Sequence, residues 1–323
     1  MELSVYRNSF LSFLEENTKF TEPKSLYEPV SYILQLGGKR MRPLLALMSV
    51  DAFGKDYKLG LHAALAIEVF HNFTLLHDDI MDGAPLRRGK ATVHEKWDVN
   101  TAILSGDAMM ILANQCLEVY EGDVYKKLMQ LFQKTALEVC EGQQYDMDFE
   151  NRNDVSIPEY IEMIRLKTSV LVAAALKMGA IISDASEKDA EAMYQYGLNL
   201  GLAFQLQDDY LDAFGDPETF GKQVGGDIIE NKKTFLYLKA LENLEGSEKD
   251  QLLTLFTTTQ ENIDSKIETT KNLFIKSKAV NEIQQEIKNY TQKAFDVLEG
   301  VSISVSTKED LIAFGHYLMG RKV

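Results

Sequence analysis

Two short stretches carry the residues best suited to chemistry. "LLHDDIMD" begins at Leu75 and "LQDDYLD" at Leu206, and each holds the pattern D-D-x-x-D. On a helix, Asp78 and Asp82 share a face one turn apart, and Asp79 sits about 100° around from Asp78. Asp208, Asp209 and Asp212 repeat the arrangement. Carboxylates this close repel one another, and apolar neighbours worsen the repulsion by removing water. An acidic helix end solvated at the surface is the plain reading of one such triplet. Two copies, each after an apolar helix and with no basic residue four positions away, argue for bound cations. All-oxygen ligands suit hard cations, Mg²⁺ above all when phosphate oxygens complete the shell.

A phosphate site also needs cations that bind substrate oxygens directly. "GGKRMRP" at 37–43 supplies Lys39, Arg40 and Arg42 at a turn opening a helix, where free backbone N–H groups also favour anions. "PLRRGKATVH" at 85–94 places Arg87 and Arg88 a few residues beyond Asp82, within reach of the first acidic set. Glu68 and His71 form one E-x-x-H. Di-iron bundles need two such motifs and further glutamates, and no second E-x-x-H is present.

Long helices must position these groups. Six prolines in 323 residues leave room for them, and in "LHAALAIEVFHNFTLLHDDIMD" apolar side chains nearly encircle the segment, as in a buried helix. The spacing predicts helices over roughly 3–17, 25–36, 43–53, 58–82, 100–121, 124–150, 158–182, 187–214, 228–244, 248–258, 262–298 and 307–319. Gly37 and Gly38 stop one helix, Pro43 suits the first turn of the next, and Pro158 opens another. "GAPLRRGKAT" reads as a loop, and so does "VSISVST", whose strand-like alternation has no partner. No linker divides the chain. The fold class is all-α, one domain over residues 1–323.

A formal net charge of −15 disfavours nucleic-acid or anionic-membrane binding. The two cysteines, Cys116 and Cys140, suggest neither a disulfide framework nor a zinc site and read as buried thiols. No secretory signal is visible, and no run approaches the roughly 20 apolar residues of a membrane span. A soluble cytoplasmic protein is the expectation.

Taken in order, "GGKRMRP", "HNFTLLHDDIMDGAPLRRGKATVH", "GQQYDMDFE", "MIRLKTSVL" and "FQLQDDYLDAFGD…GKQVGGDIIENKKT" resemble the trans-isoprenyl diphosphate synthases, most clearly over about residues 37–235. That resemblance implies a bundle of long helices around a deep central cavity, usually a homodimer, and head-to-tail condensation of an allylic diphosphate with isopentenyl diphosphate. It implies that Asp78, Asp79, Asp82 and Asp208 hold Mg²⁺, about three ions in the family, with Asp209 and Asp212 acting through water or neighbouring groups. Arg87, Lys167, Lys222 and Lys232 would contact the allylic diphosphate. Lys39, Arg42, His71 and Arg88 would bind isopentenyl diphosphate, although a lone His on a buried helix can equally be a hydrogen-bonded core residue. Gln143 and Asp146 match a supporting motif, and Lys167, Thr168 and Gln205 would surround the developing carbocation. Arg321 and Lys322 resemble a basic tail that closes over the site.

A growing chain must run away from the metals, so side chains below the first set form a floor. Thr74 lies one turn, about 6 Å, below Asp78, with Phe73 and Phe70 at five and eight residues before it. Both phenylalanines also read as core packing. In the family, an aromatic at the fifth position without one at the fourth resembles enzymes making about C20, with C15 the next expectation. A class I terpene cyclase, a non-catalytic regulatory subunit and an acidic helical scaffold are the competing readings. A cyclase normally carries a different second motif, and regulatory relatives tend to lose aspartates, whereas all six are present here.

Overall fold

The computed structural model describes residues 3–216, 224–257 and 262–320. Helices dominate: α1 Leu3–Asn17, α2 Lys24–Gln35, α3 Met41–Ala52, α4 Leu61–Met81, α5 Val93–Lys96, α6 Val99–Gln115, α7 Gly122–Asn151, α8 Ile157–Ile164, α9 Val170–Ile182, α10 Glu187–Phe214, α11 Gly226–Ile229, α12 Phe235–Asn243, α13 Gly246–Thr257, α14 Ile263–Lys276, α15 Ala279–Glu299 and α16 Val305–Met319. A two-residue hairpin pairs β1 (Leu86–Arg87) with antiparallel β2 (Lys90–Ala91). Two compact units divide the chain. The first comprises Met1–Ala136, Leu171–Tyr194 and Gly300–Lys308, and the second Leu137–Val170, Gln195–Glu299 and Glu309–Val323.

In the first unit α4 is the central element. Ala63 through Phe70 are all buried, as the near-continuous apolar sequence requires, and α3 and α6 pack against it. The close fit of α9 on α3 depends on Gly179, where a Cβ would stand 2.5 Å from the Ala46 carbonyl oxygen, and Ser49 Oγ donates to Leu176 O at 2.6 Å. By length and composition, Tyr57–Met81 is apolar enough to cross a bilayer, which corrects the expectation that no run approaches a span. Most of that segment is buried within the protein. In the second unit, Phe149, Tyr160, Leu206, Phe235, Phe256 and Phe274 belong to one apolar cluster. There α12 packs on α8 and α15, and α14 on α11, α13 and α15.

Helix punctuation largely follows the sequence. Gly37 and Gly38 take φ of +84° and +120°, Pro43 lies in the first turn of α3, and Ser156 with Glu159 forms a capping box that starts α8 at Ile157–Pro158. Four differences have local causes. The predicted helix over 158–182 is broken by a π-helical turn, Arg165–Ser169, in which Ser169 Oγ donates to Ile164 O at 3.3 Å. The predicted helix over 262–298 breaks because Lys278 adopts φ +64° and Ser277 Oγ accepts from the Ala279 N–H, which starts α15. The helix expected at 228–244 is α11 and α12 with a loop between them, where Asn231 adopts φ +59°. "GAPLRRGKAT", read as a loop, holds the hairpin, with Arg88 at φ +53° and Gly89 at +73° matching a primed turn. Of the two thiols, Cys116 is half-buried, and burial pushes it up to about 11. Cys140, expected to be buried, is exposed, because it falls about 100° off the buried stripe of α7 that runs through Phe132, Thr135 and Val139.

Candidate active site

The first acidic set sits on a rigid helix end. Ala84 N–H donates to Asp79 O at 2.9 Å and Gly83 N–H to Ile80 O at 3.3 Å, with Gly83 at φ +59°. This is a complete Schellman closure, and it fixes the last turn of α4. The three carboxylates then part company. Asp79 is buried, and both its oxygens accept from Arg87 Nε at 2.8 Å, with Arg87 Nη2 a further 2.6 Å from Oδ1. Burial pushes the Asp79 carboxyl above its usual range, and the Arg87 bond opposes that shift. Asp78 is half-buried, 3.7 Å from Arg87 Nη2, and Asp82 is exposed. The pair one turn apart is therefore the more accessible, while Asp79 orients Arg87.

Beside it, "GGKRMRP" builds a cationic turn on a buried ion pair. Arg40, at φ +52°, donates through Nη1 to Glu68 Oε1 and through Nη2 to Leu34 O. Asn72 Nδ2 donates to the same Glu68 oxygen at 3.0 Å. The di-iron reading of Glu68 thus finds an ion pair in its place. Arg40 is held inside, which leaves its neighbours Lys39 and Arg42 partly exposed. Arg42 Nη1 lies 3.1 Å from His71 Nε2. A guanidinium can only donate, so Nε2 must accept and the imidazole is neutral. Burial, then Arg42, Arg88, Arg87 and Arg40, hold the His71 pKa well below 6.5. Arg88 Nη1 donates to Gly37 O, tying the hairpin to the turn.

Below the acidic set, Thr74 Oγ1 donates to His71 O at 2.8 Å. The Phe73 ring lies 5.6 Å from Phe70, and Phe70 lies 5.3 Å from Phe132 on α7. Both Phe70 and Phe73 are buried, so the core-packing reading holds alongside any role as a floor.

In the second unit, Asp208 and Asp212 are half-buried near the end of α10 and Asp209 is buried. Tyr160 OH and Gln205 Nε2 both donate to Asp209, the latter at 3.0 Å, and Thr168 Oγ1 donates to Gln205 Oε1 at 3.1 Å. Burial, then the charge of Asp227, push the Asp209 carboxyl well above its usual range. Lys167 Nζ stands 2.6 Å from Asp146 Oδ2. Gln143 lies on α7, three residues before Asp146. Asp212 Oδ2 accepts from the Asp227 N–H at 3.0 Å, and Lys232 Nζ lies 2.9 Å from Glu230. Lys222, Arg321 and Lys322 lie outside the described residues.

Several residues were not singled out by sequence. Gly142 is required because a Cβ there would stand 2.3 Å from the Lys167 backbone N, and Gly201 because one would stand 2.7 Å from Ser169 Cα. These two glycines, on α7 and α10, admit the π-helical turn that carries Lys167 and Thr168. Tyr160 and Asp227 sit around Asp209, and Lys233 Nζ donates to Phe149 O and Glu150 O, closing the end of α7. Asp227 lay within "GGDIIENKK", so the signal for it was present.

Among the described residues, no group of three or more His, Cys, Asp or Glu is placed to hold a metal ion alone. Within each unit the more accessible carboxylates, Asp78 and Asp82 in the first and Asp208 and Asp212 in the second, are hard oxygen donors of the kind that bind a cation whose shell is completed by ligand oxygens and water.

The polyprenyl synthetase family model matches residues 23–273. The geranylgeranyl pyrophosphate synthase of Geoglobus acetivorans is 38% identical over 311 residues, covering 95% of this chain and 94% of that protein. A geranylfarnesyl diphosphate synthase of Natronomonas pharaonis is 40% identical over 245 residues, 70% of this chain and 72% of its own length. A crystal structure of a geranylgeranyl pyrophosphate synthase superposes with a TM-score of 0.96 at 57% identity, covering 100% of both chains. The structure of a geranylgeranyl pyrophosphate synthetase from Pyrococcus horikoshii gives 0.92 at 34% identity, over 98% of this chain and 97% of that one. With its all-α architecture, two D-D-x-x-D helix ends and likeness along the whole chain, the protein belongs to the polyprenyl synthetase family.

Proposed function

We propose that this chain is a Mg²⁺-dependent trans-prenyltransferase that condenses an allylic diphosphate with isopentenyl diphosphate, and that its main product is geranylgeranyl diphosphate. The observation that carries the reading is the company each acidic helix end keeps: Arg87 on Asp79 in the first, and in the second Lys232 lining one pocket with Asp209, Asp212 and Asp227, with Lys167 paired to Asp146. Both carboxylate sets serve one allylic diphosphate, and the two units act as one catalytic domain. Asp78, Asp82, Asp208 and Asp212 would hold Mg²⁺, which supplies positive charge to the diphosphate oxygens.

Arg87, Lys167, Lys232 and Lys222 take up the negative charge that develops as the allylic C–O bond breaks. Lone pairs on Thr168 and Gln205, and the backbone carbonyl of Lys167, face the cationic carbon without trapping it. Lys39, Arg42 and Arg88 hold the second diphosphate, and neutral His71 orients Arg42. The C=C of isopentenyl diphosphate attacks the allylic carbon, and the proton it sheds passes to the departed diphosphate, so no protein base is required.

Relatives of similar identity bear different product names, so length is read from the site. Phe73 with Thr74 above it supports C20, with C15 next. A stripe of exposed Val99, Ile103, Leu104 and Ile111 on α6 supports pairing with a second copy in a homodimer. Incubation with isopentenyl diphosphate and C5, C10 or C15 primers, with Mg²⁺ or EDTA, tests the reading by product mass. Turnover of farnesyl diphosphate without isopentenyl diphosphate would show a cyclase instead.

A further inference from the structure

His77 precedes the first aspartate and takes no part in the mechanism above, yet its surroundings are unusually defined. Its ring meets Phe73 edge-on, with centroids 4.7 Å apart and planes at 64°. Its Nε2 lies 3.2 Å from Ile103 O on α6. It rests directly on Gly106 of the same helix, where an added Cβ would stand 2.2 Å from Nε2. Glycine at 106 is what lets the imidazole lie against the α6 backbone. Phe73 therefore has an aromatic neighbour on each side: Phe70 at 5.6 Å, itself backed by Phe132, and His77.

We infer that His77, seated on Gly106, is a specificity-determining positioning residue that holds the Phe73 ring across the path of the growing chain. This rests on the reading of Phe73 as the floor. An aromatic side chain has few rotamers, and packing decides which is populated. Phe70 and Phe132 are locked in the core, so the neighbour that can release Phe73 is the half-buried His77. Without the imidazole, Phe73 can turn toward α6, and the space it leaves admits a further isoprene unit. The Ile103 carbonyl bond fixes the plane of the imidazole, and the edge-on contact transmits that plane to Phe73.

Product distribution from isopentenyl diphosphate and a C15 primer, read by mass spectrometry on folded protein, tests the inference with four variants. His77→Ala raises the share of product one isoprene unit longer roughly tenfold, equivalent to about 1.4 kcal/mol in the partition between release and further extension. His77→Phe keeps a ring edge against Phe73 but loses the bond to Ile103 O, so its distribution falls between wild type and His77→Ala. Phe73→Ala lengthens product by itself, and His77→Ala/Phe73→Ala matches it, because His77 acts only through Phe73. Gly106→Ala leaves both rings in the chain and removes the seat, so its distribution departs from wild type even where His77→Ala does not fold. If Phe73→Ala lengthens product while His77→Ala and Gly106→Ala do not, the inference about His77 is wrong and the floor stands. If Phe73→Ala leaves product length unchanged, the floor itself is wrong. Further lengthening in the double variant overturns the claim that His77 works through Phe73.

Discussion

Glu68→Ala is expected to remove about 4–6 kcal/mol of the protein's stability. Glu68 and Arg40 side chains are each 3% exposed, so removing the carboxylate leaves a guanidinium charge in the interior. Breaking a buried pair from one side costs about 3–5 kcal/mol. Asn72 Nδ2 also loses its side-chain acceptor, adding about 1 kcal/mol, though its bond to the Glu68 carbonyl at 2.8 Å survives. The sum, about 4–6 kcal/mol, stands against total stabilities of roughly 5–15 kcal/mol for folded proteins. Paired replacement of Arg40 and Glu68 by Met removes both charges and fills similar volume, so it should lie within about 2 kcal/mol of wild type. Guanidinium unfolding followed by circular dichroism measures both. A loss below about 1 kcal/mol in Glu68→Ala, or a paired variant less stable than the single one, would refute the reasoning that this ion pair supports the "GGKRMRP" turn.

Gly142→Ala forces a Cβ to within 2.3 Å of the Lys167 backbone N. It should destabilise by about 1–3 kcal/mol and lower kcat more than it raises KM, because the π-helical turn must shift; unchanged kcat would contradict this. His71 has a folded pKa below its ordinary 6.5, so the unfolded chain takes up the proton first as pH falls. Its contribution to stability is complete above about pH 6.5 and is lost on acidification through the folded pKa. Denaturation at stepped pH should show a shallower acid loss in His71→Gln, and identical pH profiles would contradict the assignment. EDTA should abolish condensation and added Mg²⁺ restore it, measured by incorporation of labelled isopentenyl diphosphate.

Periodicity and residue type made much of this protein legible. The apolar all-round pattern of "LHAALAIEVF" placed α4 in the core, and helical spacing put Asp78 and Asp82 on one face with Asp79 about 100° around; Asp79, expected to hold Mg²⁺ with them, is instead buried on Arg87, a partner eight residues on that spacing does not reveal. The glycines before Lys39 stopped α2 where expected. What stayed hidden depends on partners distant in sequence. The π-helical turn at Arg165–Ser169 exists because Gly142 and Gly201 clear space for its backbone, and nothing within "RLKTS" announces it. The break at Lys278 uses a left-handed lysine where sequence rules look for glycine or proline. Asp209 reads like Asp208 in one dimension, yet Tyr160 and Gln205 turn it into a buried acceptor. Arg40 read as one of three cations offered to phosphate oxygens by a basic turn, and only Glu68, on α4, draws it inside.

The most direct measurement of the central claim is a double-mutant cycle in kcat across the two acidic helix ends. Asp78→Ala and Asp208→Ala should each lower kcat by at least about 100-fold, as loss of electrostatic stabilisation does. If both serve one ion–diphosphate assembly, the double variant should fall no more than about tenfold below the worse single one, because groups acting as a unit are not additive. Losses that multiply, or a near-normal kcat in either single variant, would contradict it.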